Sequence, residues 1–181
     1  DSQLAPVAPA GRAPGDPGPR SVLSMVRERY GAPLLLTETR RLNAELCAAV
    51  SDCFYDGRLS PTPEAASRRL PLERRPRPAF AAFLDPARSL VFADVPHEGA
   101  RAVSEPEARW SAALAAEAMR CGVPASEVGV VSPFRAQCNR IRFLLQSAAG
   151  STARSEGVLV STAERFQGQE RELVILSLAA S

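Results

Sequence analysis

Four short apolar runs constrain what this chain can fold into. Residues 89–95 (SLVFADV), 127–131 (EVGVV), 157–160 (GVLV) and 173–178 (LVILSL) are continuous rather than alternating, and helical periods lie between them. A strand apolar on both sides must be covered on both faces, as in a parallel sheet flanked by helices. One intervening helix is expected over residues 104–120, opened by a capping box, Ser104 with Glu107. Another follows Ser132-Pro133, read as N-cap and first helical residue, with Ile141, Leu144 and Leu145 on one face. The expectation is a three-layer α/β domain with a mostly parallel sheet. No internal repeat is visible.

The first half is less regular. Residues 8–20 read as loop, and residues 21–30 as a short amphipathic helix with Val22, Met25, Val26 and Tyr30 near one face. Residues 34–36 read as a strand and residues 41–50 as a helix, with Leu42, Leu46, Ala49 and Val50 on one face. Asp56-Gly57 is a turn signal. Residues 60–88 hold six of the 16 prolines and no sustained period, which predicts an extended insertion crossing the surface.

Composition narrows the chemistry. All 22 basic residues are arginine. Any mechanism that needs a lysine, such as a Schiff base or a phosphate-binding P-loop lysine, is excluded within this chain. Such a composition also follows from a GC-rich genome. With 20 acids the net charge is +2, so bulk charge alone does not argue for a nucleic-acid partner. The four cysteines show no CxxC spacing and His97 is the only histidine, which argues against a zinc site. Cys47 and Cys53 read as core thiols of a reducing, cytoplasmic compartment. No apolar run reaches the roughly 18 residues of a membrane span, and the start shows no signal-peptide pattern. Both ends read as cut, as if the chain were a piece of something longer.

Three segments carry possible chemistry. In residues 128–137 (VGVVSPFRAQ) a buried strand ends in a hydroxyl and a helix begins. Ligands of open α/β sheets bind at such strand ends, and free amides there suit an anion; an ordinary cap with nothing bound gives the same pattern. In residues 160–170 (VSTAERFQGQE) a strand ends at Ser161 and Thr162 and runs into a polar loop with Gly168 and Glu170. That is either a ligand loop or a solvated turn. In residues 36–59, Arg40 and Arg41 lie between a strand and a helix, where arginine forks onto a phosphate or simply faces solvent.

In this order the segments resemble class B superfamily 1 helicases, the group of the nonsense-mediated-decay and Okazaki-fragment-processing helicases. Residues 1–7 (DSQLAPV) look like the tail of motif III. Residues 39–42 (TRRL) take the place of the group's Gln-Tyr-Arg-Met, and residues 54–59 (FYDGRL) match its FY-x-G-x-L. Residues 131–137 (VSPFRAQ) look like motif IV, and residues 162–170 (TAERFQGQE) like motif V.

The resemblance implies two RecA-like domains of P-loop NTPase type with ATP bound between them. Residues 1–33 would be the tail of the first domain and a linker; residues 34–181 would be the second. Gln3 would sense the γ-phosphate and couple the domains. Arg41 would reach the γ-phosphate and stabilise transition-state charge. Arg40 stands where the group commonly has a tyrosine stacking on adenine, and a guanidinium plane can also stack there. Gly168 and Glu170 would meet the nucleotide, while Ser132, Pro133 and Thr162 would follow the phosphate backbone of single-stranded DNA or RNA. The cofactors would be ATP and Mg²⁺, with the Mg²⁺ ligands on the first domain. The parent would be cytoplasmic, nucleoid-associated in a bacterium or nuclear in a eukaryote, and would move 5′→3′. The P-loop, the Walker B acids and motif VI are not in the sequence, so this chain alone would not hydrolyse ATP. The competing readings are a degenerate, non-catalytic module of the same fold and a piece of a nuclease–helicase fusion.

Overall fold

A computed structural model describes residues 22–31, 34–148 and 157–180. Gln3, the motif III-like opening and the loop expected over residues 8–20 lie outside the described residues. The chain divides into two compact units, Asp1–Ser67 and Arg68–Ser181, and the division falls inside the Pro-rich stretch.

The first unit contains α1 (Val22–Tyr30), β1 (Glu38–Thr39), α2 (Ala44–Phe54), β2 (Ser60–Pro61) and α3 (Pro63–Ala66). Helix α1 forms where its period predicts, but Val22, Met25, Val26 and Tyr30 are all exposed. Strands β1 and β2 pair in parallel, Glu38 opposite Ser60 and Thr39 opposite Pro61. The strand expected at residues 34–36 does not form; the ladder begins later, at Glu38. Its partner is only two residues long, and Leu34 and Leu36 are exposed, so no burial holds them in a sheet.

Helix α2 starts at Ala44 rather than Arg41, because the Asn43 side chain accepts the Leu46 amide at 3.1 Å and fixes the cap there. Cys47 and Ser51 are buried, and Ser51 Oγ accepts the Leu59 amide at 2.9 Å, tying α2 to the chain entering β2. Cys53 is exposed, which corrects its reading as a core thiol. The expected turn forms with φ of 52° at Asp56 and 72° at Gly57.

The second unit is built on a three-stranded parallel sheet. It comprises β3 (Val128–Val131), β4 (Leu159–Ser161) and β5 (Leu173–Leu176) in the order β4-β3-β5. Its helices are α4 (Glu105–Arg120), α5 (Arg135–Ala148) and the single turn α6 (Ala163–Phe166). Val128 and Val130 point into a core with Ala108, Ala112, Ala115 and Ala118 of α4 and Cys138, Ile141 and Leu145 of α5. The alanine stripe lets α4 approach α5 and the sheet closely, and the two helices pack side by side. Gly129 faces the other way. A Cβ there would meet the Phe166 ring at 2.7 Å and Arg171 at 3.3 Å, so α6 and the start of the β5 approach lie over β3 on that face. This is a mixed α/β fold of RecA-like form with a parallel sheet.

One expectation fails here and another is incomplete. Residues 89–95 form no ladder among the described residues, and Leu90 and Phe92 are exposed. An apolar run becomes a strand only beside another strand, and among the described residues β5 pairs with β3 alone. The stretch 60–88 does cross the surface, most of its residues being exposed, but it is also anchored in the core, which the sequence did not lead one to expect. Leu84 is fully buried in the core, Leu70, Leu72, Phe80 and Phe83 pack against it, and Phe80 stacks on Trp110 at 5.3 Å. Prolines break the period, so burial here left no pattern in the sequence.

Candidate functional site

Strand register creates one edge. Val131 pairs with Ser161 and with Leu176, so the carboxyl ends of β4, β3 and β5 finish level. Ser132, Thr162 and Ser177 leave the sheet there. The Ser132 amide donates to the Ser161 carbonyl at 3.3 Å, and the Ser177 amide to the Val131 carbonyl at 2.9 Å. The motif IV-like and motif V-like segments therefore emerge beside each other from adjacent strands, at the edge where open α/β sheets take ligands.

The side chains there behave differently. Ser132 has no exposed surface, and its hydroxyl accepts the Phe134 amide at 3.3 Å. Helix α5 begins only at Arg135, so Ser132 closes the turn before the helix instead of capping its first residue. Pro133 is exposed. Thr162 is nearly buried, at the N-cap of α6, and its side chain makes no capping hydrogen bond. Glu164 sits below the ordinary carboxylate range, through its own backbone N–H first, then Thr162, with the Arg135 charge adding to them. Arg135 is exposed beside this acid and was not singled out by the sequence. Its signal was position alone, the first residue of a helix after a strand.

Gly168 has φ of 81°, and a Cβ there would meet nothing within 4 Å. The glycine answers a backbone requirement and leaves open space above it. Glu170 is exposed, and its carbonyl accepts from Arg171 Nη1 at 2.6 Å. In the first unit, Arg40 and Arg41 are exposed in the bend after β1, where the Arg41 amide donates to Thr39 Oγ1 at 3.2 Å.

Gln137 is the residue whose role the sequence hid. Fully buried, it accepts the Ser104 amide at 3.0 Å, and its amide nitrogen donates to the Ser104 carbonyl at 3.1 Å and to Ser177 Oγ at 2.9 Å. Ser177 Oγ donates onward to Glu107 at 2.8 Å. The capping box is thus half formed. Ser104 accepts the Glu107 amide at 3.4 Å, but the Glu107 carboxylate turns to Ser177, the Ala179 amide and His97 Nε2. Burial opposes the charge on Glu107, yet these hydrogen bonds hold its carboxyl below the usual value. The network locks the end of β5 to α4 and α5.

The donor set bears on the expected cofactors. Within the first unit the exposed Arg40 and Arg41 guanidinium groups are of the chemistry that pairs with phosphate oxygens. For Mg²⁺ the fit fails among the described residues, where no group of three His, Cys, Asp or Glu side chains converges.

A family model described as an AAA domain matches residues 19–181, and the chain belongs to that family. It is 28% identical over 145 residues to the 5'-3' DNA helicase ZGRF1 of Mus musculus, a match covering 80% of this chain and 7% of the relative. It is 36% identical over 59 residues to the DNA polymerase alpha-associated DNA helicase A of Saccharomyces cerevisiae, covering 33% of this chain and 8% of the relative. The matched stretch covers less than a tenth of the length of either relative. It is a helicase-like AAA domain, with the class B superfamily 1 helicases as the group it resembles. No helix among the described residues is long and apolar enough to cross a membrane.

Proposed function

We propose that this chain is the second RecA-like domain of an ATP-dependent DNA or RNA helicase or translocase, closing the ATP site and contacting single-stranded nucleic acid. The observation that carries the reading is the level edge at which residues 131–137 and 162–170 leave adjacent parallel strands. The two relatives named above both bear the name DNA helicase, which supports the same reading.

In this scheme Arg41 reaches the γ-phosphate as in-line attack by water develops charge, and Gln3 couples that event to the first domain. Arg40 stacks on or near the base. Gly168 lets the loop backbone approach the nucleotide, and Glu170 meets its ribose or phosphate side. Pro133 and Thr162 follow the strand backbone. Ser132, whose hydroxyl is turned inward, contributes by shaping that turn. The lysine and the Mg²⁺-binding acids come from a P-loop domain, since this chain has no lysine. Those acids would hold the Mg²⁺, which would supply charge neutralisation at the phosphates. The parent works where its nucleic acid is, in the cytoplasm, nucleoid or nucleus.

The test joins this chain to a P-loop domain and to a following motif VI segment, and measures ATP turnover. Turnover should rise on adding single-stranded DNA or RNA. A rate indifferent to both would sink the reading in favour of a non-catalytic module.

A further inference from the structure

Residues 68–77 (RRLPLERRPR) belong to none of the motif-like segments and carry a strong charge imbalance. They hold five arginines against one acid, a net of +4, which leaves 17 basic against 19 acidic residues and a net of −2 for the rest of the chain. The overall +2 therefore conceals an uneven distribution of charge along the sequence.

This segment is anchored. Leu70 and Leu72 pack against the core. The amides of Glu73 and Arg74 donate to the Cys121 carbonyl at 2.8 and 3.1 Å. Arg77 binds the buried Glu117 carboxylate through its amide and Nε, both at 2.7 Å, and Arg120 Nη2 donates to the Arg75 carbonyl at 2.9 Å. The Glu73 side chain lies over Gly122, where a Cβ would meet it at 2.7 Å. The result is a strap fixed along the C-terminal end of α4, with Arg68, Arg69, Arg74 and Arg75 exposed on it.

We infer that this strap is a second nucleic-acid contact, binding the phosphodiester backbone without base preference. Guanidinium forks match phosphate oxygens, and the ordered backbone reduces what binding must immobilise. A lipid surface fits less well, because Leu70 and Leu72, the large apolar side chains of the segment, are packed inward and leave no anchor. The strap lies apart from the strand-end motifs of the same unit and does not rest on the helicase reading.

The experiment is fluorescence-anisotropy titration of the full chain with labelled oligothymidylate, a mixed-sequence duplex and an RNA strand, over about 50–200 mM salt. R74Q/R75Q should weaken binding about tenfold at the lowest salt and lower the log–log salt slope by about 1 to 1.5, roughly 0.7 for each single-strand phosphate no longer neutralised. R68Q/R69Q/R74Q/R75Q should weaken it further. R74K/R75K should keep most of the slope, and R88Q/R101Q, a charge-matched pair outside the strap, should behave as wild type. Thermal melts verify that the variants fold. Any of four results overturns the inference. They are an unchanged affinity and slope in R74Q/R75Q, an equal weakening in R88Q/R101Q, and a Lys pair whose slope falls as far as that of the Gln pair. The fourth is binding to phosphatidylserine vesicles that R74Q/R75Q abolishes while nucleic-acid binding stays intact.

Discussion

Two buried polar side chains decide how the motif-bearing edge is built. Gln137 and Ser132 have no exposed surface, and both spend their polar atoms inside the protein. Gln137→Met keeps nearly the same volume but strands the buried Ser104 amide and takes one of its two partners from the Ser177 hydroxyl, which keeps Glu107. Each group left without a partner costs about 1–3 kcal/mol. Urea denaturation should therefore show Gln137→Met as strongly destabilised, while an exposed neighbour, Ala136→Ser, changes little; equal stabilities would mean that the network does not hold the edge. Gly168→Ala tests the loop differently. Nothing would touch the new methyl, but φ of 81° costs an L-residue roughly 1–2 kcal/mol. The expected result is a modest loss of stability with no change in the fold. The residue types at this edge were legible in the sequence, since strand-end hydroxyls and a loop glycine announce themselves. Their orientation was not. Whether a serine faces solvent or its own turn depends on where the helix starts, and α5 starts three residues beyond Ser132.

Elements with their own period were the legible ones. α1, α4, α5, β3, β4 and β5 lie where spacing places them, within a few residues at their ends. The failures share a cause: they depend on what lies alongside. Residues 34–36 and 89–95 are apolar enough for strands, yet strand formation requires a partner edge. The Pro-rich stretch failed in the opposite sense, because tertiary packing recruited side chains that no local pattern marked. Its deepest residue gives a sharp check. Leu84→Ala should lower the unfolding free energy by about 2–5 kcal/mol, whereas Leu90→Ala, on an exposed side chain, should shift it by under about 0.5 kcal/mol. If the two variants melt alike, the stretch is not part of the core.

For the whole molecule, arginine–carboxylate pairs tie distant segments together and set a pH window. Glu105 is held at about 2 by hydrogen bonds from Arg140 and Arg109, against burial. Glu117 is held at about 2 by Arg120 and by the Arg77 amide and guanidinium, also against burial. Unfolded glutamates titrate near 4.3. A carboxyl whose folded value lies below its unfolded one contributes stability that is fully present above the unfolded value and is lost as pH falls through the folded one. Melting temperature should thus hold above about pH 5 and fall steadily toward pH 2. Glu117→Gln should flatten part of that fall; an unchanged profile would show that the pair is not coupled to folding.

Function at this scale was read from motif order, since bulk charge was uninformative, and family membership supports the order. The most direct test of the central claim is Arg41→Ala in the joined enzyme, measured as steady-state ATP turnover at saturating single strand. Turnover should fall at least about 10³-fold, the scale of losing an arginine that stabilises phosphoryl-transfer charge, while nucleotide still binds. An unchanged rate would contradict it and remove Arg41 from the catalytic site.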